Sequence, residues 1–150
     1  MTIATNKKAF FDYEILQTFE AGIILSGPEV KSIKNGRINL KGGYLNINAQ
    51  KIPWLINVHV SPYPPASQVQ KDYSPTQSRK ILLNKKEINF LIGKLKIKGL
   101  SLIPLKVYIK NRIIKLEIAL VKGKKKWDKR EDIKQKDLKK KVLQELKKNF

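Results

Sequence analysis

A chain of 150 residues with 41% hydrophobic content is long enough for one domain with its own packed core, which excludes a disordered polycation. Thirty-two Lys and Arg against 12 Asp and Glu leave a formal net charge of +20, and self-repulsion of that size calls for a polyanionic partner, expected to be nucleic acid. There is no Cys, so disulfides and thiolate metal sites are excluded, and no window approaches the ~20 apolar residues of a membrane-spanning helix.

In chain order, residues 1–6 show no pattern and are expected to be a flexible N-terminus without a secretory signal. Residues 13–25 read as a strand interrupted by Gly22, as at a barrel corner. A short helix follows, with Ser26 as N-cap, Glu29 closing a capping box, Pro28 in the first turn and Gly36 as the stop. Two strands are expected at 44–48 and 54–60. In the second, Trp54, Ile56, Val58 and Val60 alternate with Leu55, Asn57 and His59, which puts Trp54 on the core side.

Residues 61–78 hold four Pro and four Ser without periodicity and read as a long loop. An extended segment resumes at 79–83. Asn84 and Glu87 then form a second capping box, and Ile88, Leu91, Ile92 and Leu95 give one apolar helical face ended by Gly99. Strands at 101–110 and 113–121 are joined through Asn111-Arg112 as a hairpin. Ile114, Leu116, Ile118 and Leu120 share one face of the last strand, with Lys115, Glu117 and Ala119 on the other.

From residue 122 onward, thirteen Lys and Arg against five Asp and Glu give a net of +8 and leave +12 for residues 1–121. The narrow stripe Leu138, Val142, Leu146 suits a marginal helix that orders on a partner and is too thin for a membrane-surface helix. The expected fold is mainly β with short helices: a closed, OB-like antiparallel β-barrel over 7–122 and a basic tail over 123–150. The tail is expected to be disordered when free and helical when bound.

Catalysis has no candidate residues. His59 is the one histidine, and neither a nucleophile–base pair, a metal cluster nor a phosphate-cradling Gly-rich loop can be assembled. No enzyme activity, metal or cofactor is expected. Four basic clusters stand out: Asn6-Lys7-Lys8, the stretch from Lys31 to Arg37, Arg79-Lys80, and the stretch from Lys122 to Arg130. Phe10, Phe11 and Tyr13 lie near the first and Trp127 within the last, a pattern that suits phosphate tracking with base stacking.

Matching stretches then occur in one order along nearly the whole chain. They are Asn6-Lys7-Lys8-Ala9, Asp12-Tyr13, Phe19-Glu20-Ala21-Gly22-Ile23, Gly27, Glu29-Val30-Lys31-Ser32, Asn39-Leu40, Asn57 and His59. Pro62-Tyr63, Arg79-Lys80, Leu82-Leu83, Pro104-Leu105, Gly123-Lys124-Lys125 and Asp128-Lys129-Arg130 complete the series. On these the chain resembles the SmpB family, the SsrA-binding proteins.

The resemblance implies a bacterial adaptor, monomeric and cytoplasmic, or its counterpart in an organelle of bacterial origin. Such an adaptor binds the tRNA-like domain of transfer-messenger RNA (tmRNA) and carries it to stalled ribosomes for trans-translation. The tail would enter the empty mRNA channel beyond the small-subunit decoding centre. It also implies a tmRNA-facing set, Asn6, Lys7, Glu20, Gly22, Lys31, Ser32, Gly123, Lys124 and Lys125, and a ribosome-facing set, Trp127, Asp128, Lys129 and Arg130 with Lys134 and Lys136. Glu20 would accept from base amino groups or hold a neighbouring Lys, with a plain strand salt bridge as the other reading. The chain departs from the family pattern at Pro28, at Gly42-Gly43 and at Trp127. It departs again in the long loop, where Asp72-Tyr73-Ser74-Pro75 replaces Asn-His-Asp-Pro and Gln77 stands where Arg is common. The alternative reading is a general OB-fold RNA-binding or ribosome-assembly module.

Overall fold

The computed structural model describes residues 1–64 and 72–124. In chain order these form β1 (Thr2–Thr5), α1 (Lys7–Asp12), β2 (Tyr13–Ile23), α2 (Gly27–Lys34), β3 (Ile38–Asn39) and β4 (Tyr44–Ile47). They continue with β5 (Pro53–Ile56), β6 (His59–Val60), β7 (Arg79–Leu82), α3 (Lys85–Leu95), β8 (Leu100–Lys110) and β9 (Ile113–Gly123). Seven strands make one antiparallel sheet in the order β1-β8-β9-β2-β7-β5-β4, and β3 pairs with β6 in a second, two-stranded ladder.

Both expected capping boxes are present. Ser26 Oγ accepts from the Glu29 amide at 3.3 Å while Glu29 Oε1 accepts from the Ser26 amide at 3.1 Å. Asn84 Oδ1 and Glu87 do the same for α3 at 2.8 and 3.4 Å. Each box satisfies two of the amides that a helix start leaves without intrahelical partners. Gly36, at φ +76°, takes the left-handed position just after α2. The β8–β9 hairpin turns through Asn111 and Arg112 at φ 52° and 66°, the pair of positive values that a type I′ turn requires.

Two expectations about individual segments change. Residues 1–6 are not a loose end: Thr2–Thr5 pair with β8 through Lys106–Tyr108, and α1 follows at once. The eleven-residue β8 leaves a free edge beyond its hairpin partner, and β1 covers part of it; that pairing is tertiary, so no local pattern announces it. The strand expected over 54–60 is two strands, because Asn57 at φ +60° resets the alternation. Leu55, Val58 and Val60 become core, while Trp54 stays half-buried. Ala119, on the face it shares with Lys115 and Glu117, is buried, for a reason that lies in α1.

The main core gathers Phe19, Leu55, Ile81, Leu102, Leu116 and Ile118 on the inner face of the sheet, with Ile33 of α2 and Leu91 of α3 against it. Burying each such side chain contributes roughly 1.5–3 kcal/mol. A second cluster forms on the opposite face, where Ala9 of α1 sits over Ile103, Leu105, Ala119 and Val121. Backbone bulges between Ile15 and Gln17 and between Pro104 and Lys106 change which side chains face each way, so both faces of this end of the sheet are covered.

The hydrogen-bonded ladder has two ends, β1 and β4, so the sheet is antiparallel and open rather than a closed barrel. β4 lies beside β8, yet among the described residues no ladder joins them. A cavity of about 520 Å³ occupies the seam, lined by Lys8, Asp12, Tyr44, Asn46, Ser101 and their neighbours. Gly43 is required there: a Cβ would lie 2.4 Å from Val58 Cγ2.

Candidate nucleic-acid interface

β2 is the spine that carries Glu20 and Gly22 of the expected RNA-facing residues and runs from the group around α1 toward α2. Tyr13 at its start pairs with Gly123, Glu20 pairs with Glu117, and Gly22 near its end pairs with both Lys115 and Leu82. At about 3.3 Å per residue, Tyr13 and Gly22 stand roughly 30 Å apart. That distance suits several phosphates of a folded RNA rather than a single small ligand.

At the first end, Lys7 is exposed in the opening turn of α1. Asn6 beside it is buried. Its Oδ1 accepts from the Ala9 amide at 3.3 Å, and its Nδ2 donates to the carbonyls of Pro104 at 3.0 Å and Leu40 at 3.4 Å. Asn6 therefore caps α1 and ties it to β8, which fixes where Lys7 points. Gly123 and Lys124 arrive at the same place, with the Lys124 amide donating to the Asp12 carbonyl at 3.0 Å and Lys124 Nζ reaching the Phe10 carbonyl at 3.5 Å. Lys7, Gly123 and Lys124 are thus gathered around α1.

Glu20 lies on the open surface. Tyr108 Oη donates to its Oε2 at 2.7 Å, and Lys110 Nζ reaches the same oxygen at 3.3 Å. The hydrogen bond from Tyr108, followed by the hydrogen bond and charge of Lys110, holds the carboxyl below its ordinary value of 4.5. Burial and the Glu20 carboxylate push the Tyr108 phenol upward in turn. Gly22 is a matter of space, since a Cβ would come within 3.2 Å of Leu82 Cβ on the adjacent strand.

The remaining expected pair sits on α2. Lys31 is exposed, with Nζ 5.6 Å from the centre of the Tyr63 ring. Ser32 is fully buried, and its hydroxyl donates to the Ser61 carbonyl at 2.6 Å. Asn6 and Ser32 therefore meet the fold rather than solvent. Lys125, Trp127, Asp128, Lys129, Arg130, Lys134 and Lys136 lie outside the described residues.

Arg79, read from the sequence as half of a basic surface cluster, is inside the molecule at 3% exposure. Its Nε bonds Glu29 Oε2 at 2.5 Å, Nη1 donates to the Val58 carbonyl at 2.8 Å, and Nη2 donates to Tyr73 Oη at 3.0 Å and the Pro75 carbonyl at 2.9 Å. Burial opposes the charge on Glu29, but the Ser26 amide and Arg79 outweigh it and hold the carboxyl below 4.5. Tyr73 and Gln77, two of the loop's departures from the family pattern, both reach Glu29 Oε2, at 3.1 and 3.4 Å. The sequence carried one signal for this: β7 alternates, so of Arg79 and Lys80 one had to face inward.

Among the described residues there is no group of three His, Asp or Glu placed to hold a metal, and no helix is long and apolar enough to cross a membrane. Residues 3–148 match the family model described as SmpB protein. An SsrA-binding protein of Sulfurihydrogenibium sp. (strain YO3AOP1) is 51% identical over 145 residues, 97% of this chain and 93% of that protein. Another from Enterococcus faecalis (strain ATCC 700802 / V583) is 50% identical over 147 residues, 98% and 94% of the two chains. A solved chain from the work described as "tmRNA-SmpB: a journey to the center of the bacterial ribosome" superposes with a TM-score of 0.66 at 39% identity, covering 82% of this chain and 85% of its own. With identity of that level from end to end, the chain belongs to the SmpB family of SsrA-binding proteins.

Proposed function

We propose that this chain is an RNA-binding adaptor, not an enzyme, which binds the tRNA-like domain of tmRNA and delivers it to stalled ribosomes. The observation that carries the reading is identity of about half, over nearly the full length, to proteins named for binding SsrA RNA. The charge of +20 and the exposed cations Lys7 and Lys8 on α1 and Lys31 and Lys34 on α2 support it. An activity on ribosomes suits a cytoplasmic location.

In this reading Lys7, Lys31, Lys124 and Lys125 contact phosphates, and Glu20 contacts base amino groups or orders Lys110. Gly22 lets RNA approach the Leu82 shelf. Asn6 and Ser32 serve the same surface from beneath, as the pins of α1 and α2. The body works as an OB-like barrel whose β4 and β8 edges lean together, with β1 part of it. Residues 123–150 form the basic tail, and Trp127, Asp128, Lys129, Arg130, Lys134 and Lys136 engage the decoding centre and mRNA channel of the small subunit.

The test is deletion of residues 127–150. Binding of isolated tmRNA survives, while tagging of chains on stalled ribosomes is lost. Collapse of isolated tmRNA binding would contradict this division of labour and favour a general RNA-binding module. Raising salt from 50 to 200 mM lowers affinity by about 10³–10⁵ if six or more phosphates are contacted.

A further inference from the structure

The Glu29 network has a part in the proposed function that neither the family match nor the surface residues supply. Tyr73 Oη lies within hydrogen-bond reach of the Val60 carbonyl, at 2.9 Å, as well as of Glu29 and Arg79. One hydroxyl thus joins α2, β7 and both feet of the 61–78 segment. The feet are tied to each other by the Val60 amide on the Pro75 carbonyl at 3.0 Å. The first foot is tied to α2 by Ser32 on the Ser61 carbonyl, and to the turn just after α2 by the Ser61 amide on the Arg37 carbonyl at 3.0 Å. Glu29, Arg79, Ser32 and Val60 are buried and Ser61, Tyr73 and Pro75 half-buried, and no buried side-chain polar atom among the described residues lacks a partner.

What the cluster holds at the surface is a pair: Lys31 on α2 and Tyr63 on the first foot, cation above ring. The two belong to different segments, 32 residues apart in the chain. Their mutual placement depends on α2 and the foot being fixed to one another. A lysine free to swing loses rotamer freedom on meeting a phosphate, whereas one already steered over a ring loses less.

We infer that Glu29, Arg79 and Tyr73 are positioning residues for RNA binding, acting as a buried lock that presents Lys31 and Tyr63 as one preformed contact for a phosphate and its neighbouring nucleotide. This rests on the proposed tmRNA reading. Tyr73 and Gln77, neutral side chains, let a single carboxylate balance a single guanidinium, so the lock leaves no net buried charge.

The experiment is a double-mutant cycle on the full chain, read as affinity for the isolated tRNA-like domain of tmRNA across a salt series. Lys31→Ala lowers the salt slope by about 1, the signature of one lost phosphate contact. Tyr73→Phe keeps the ring and removes the shared hydroxyl; it lowers the slope similarly. Adding Lys31→Ala to Tyr73→Phe then costs little more. Thermal unfolding establishes that each variant is folded at the assay temperature. Glu29→Gln repeats the cycle, and should it fail to fold, Tyr73→Phe carries the test alone. Losses that simply multiply, or a silent Lys31→Ala, would overturn the inference. Wild-type protein with no preference for the tRNA-like domain over an unrelated duplex would instead sink the functional reading, before any substitution is made.

Discussion

The molecule brings a carboxylate, a cation and a phenol together twice, and burial separates what they do. Glu29, Arg79 and Tyr73 meet inside, with the ion pair's side chains at 2% and 3% exposure; Glu20, Lys110 and Tyr108 meet outside, where the Lys110 and Glu20 side chains are 56% and 42% exposed. The inner trio has its remaining donors taken by backbone carbonyls from neighbouring segments, so it fixes how those segments sit. The outer trio is wet, and exposed pairs of this kind contribute little to stability. Its carboxylate and ammonium are open to a partner. A carboxylate, a cation and a phenol are thus a fold device in one place and a recognition device in the other, and the difference is solvent.

Breaking the inner pair has the largest expected effect. Arg79→Leu leaves Glu29 buried without its cation, and urea unfolding should show a loss of about 3–5 kcal/mol. Tyr73→Phe strips one hydroxyl and leaves its neighbours with one partner fewer; the same measurement should show about 1–3 kcal/mol.

Acid sharpens the contrast. Glu29 is held below 4.5 in the folded protein, so its contribution is fully present above that value and is lost as pH falls through the lower folded value. In Glu29→Gln this part of the acid limb of stability against pH should disappear. Glu20→Gln should leave the unfolding curve where it is and change only RNA binding, narrowing the preference for tRNA-like RNA over duplex. The smallest effect is spectroscopic. Tyr73 and Tyr108 are both pushed above 10, so in an alkaline absorbance titration Tyr73→Phe and Tyr108→Phe should each remove amplitude from the part of the curve above that value.

Local chemistry made much of this legible in the sequence. Two capping boxes announced α2 and α3, Asn111-Arg112 announced the hairpin, and the 114/116/118/120 alternation announced the inner face of β9. The parts that stayed hidden depend on distant partners. β1 exists because β8 has an edge to cover. Ala119 is buried because α1 lies across it. The Asn57 turn left one strand looking continuous, which put Trp54 in the core in place of Leu55.

The candidate site divides the same way. Exposed Lys7, Glu20 and Lys31 could be read from charge and motif, but Asn6, Ser32 and Arg79 have motif positions with inward side chains. A motif match says that a residue matters; it does not say from which side of the backbone. Glu29 shows why. Its capping role used one oxygen, and nothing local revealed that the other would collect Arg79, Tyr73 and Gln77.

The most direct measurement of the whole account is competition at moderate salt between the tRNA-like domain of tmRNA and an unrelated RNA duplex of equal length for the full chain. A cationic face shaped by a fixed body should keep its preference for the tRNA-like domain as salt rises, while total affinity falls. Equal affinity for the two RNAs at every salt concentration would mean that charge alone does the binding, and the account given for the β2 spine would be wrong.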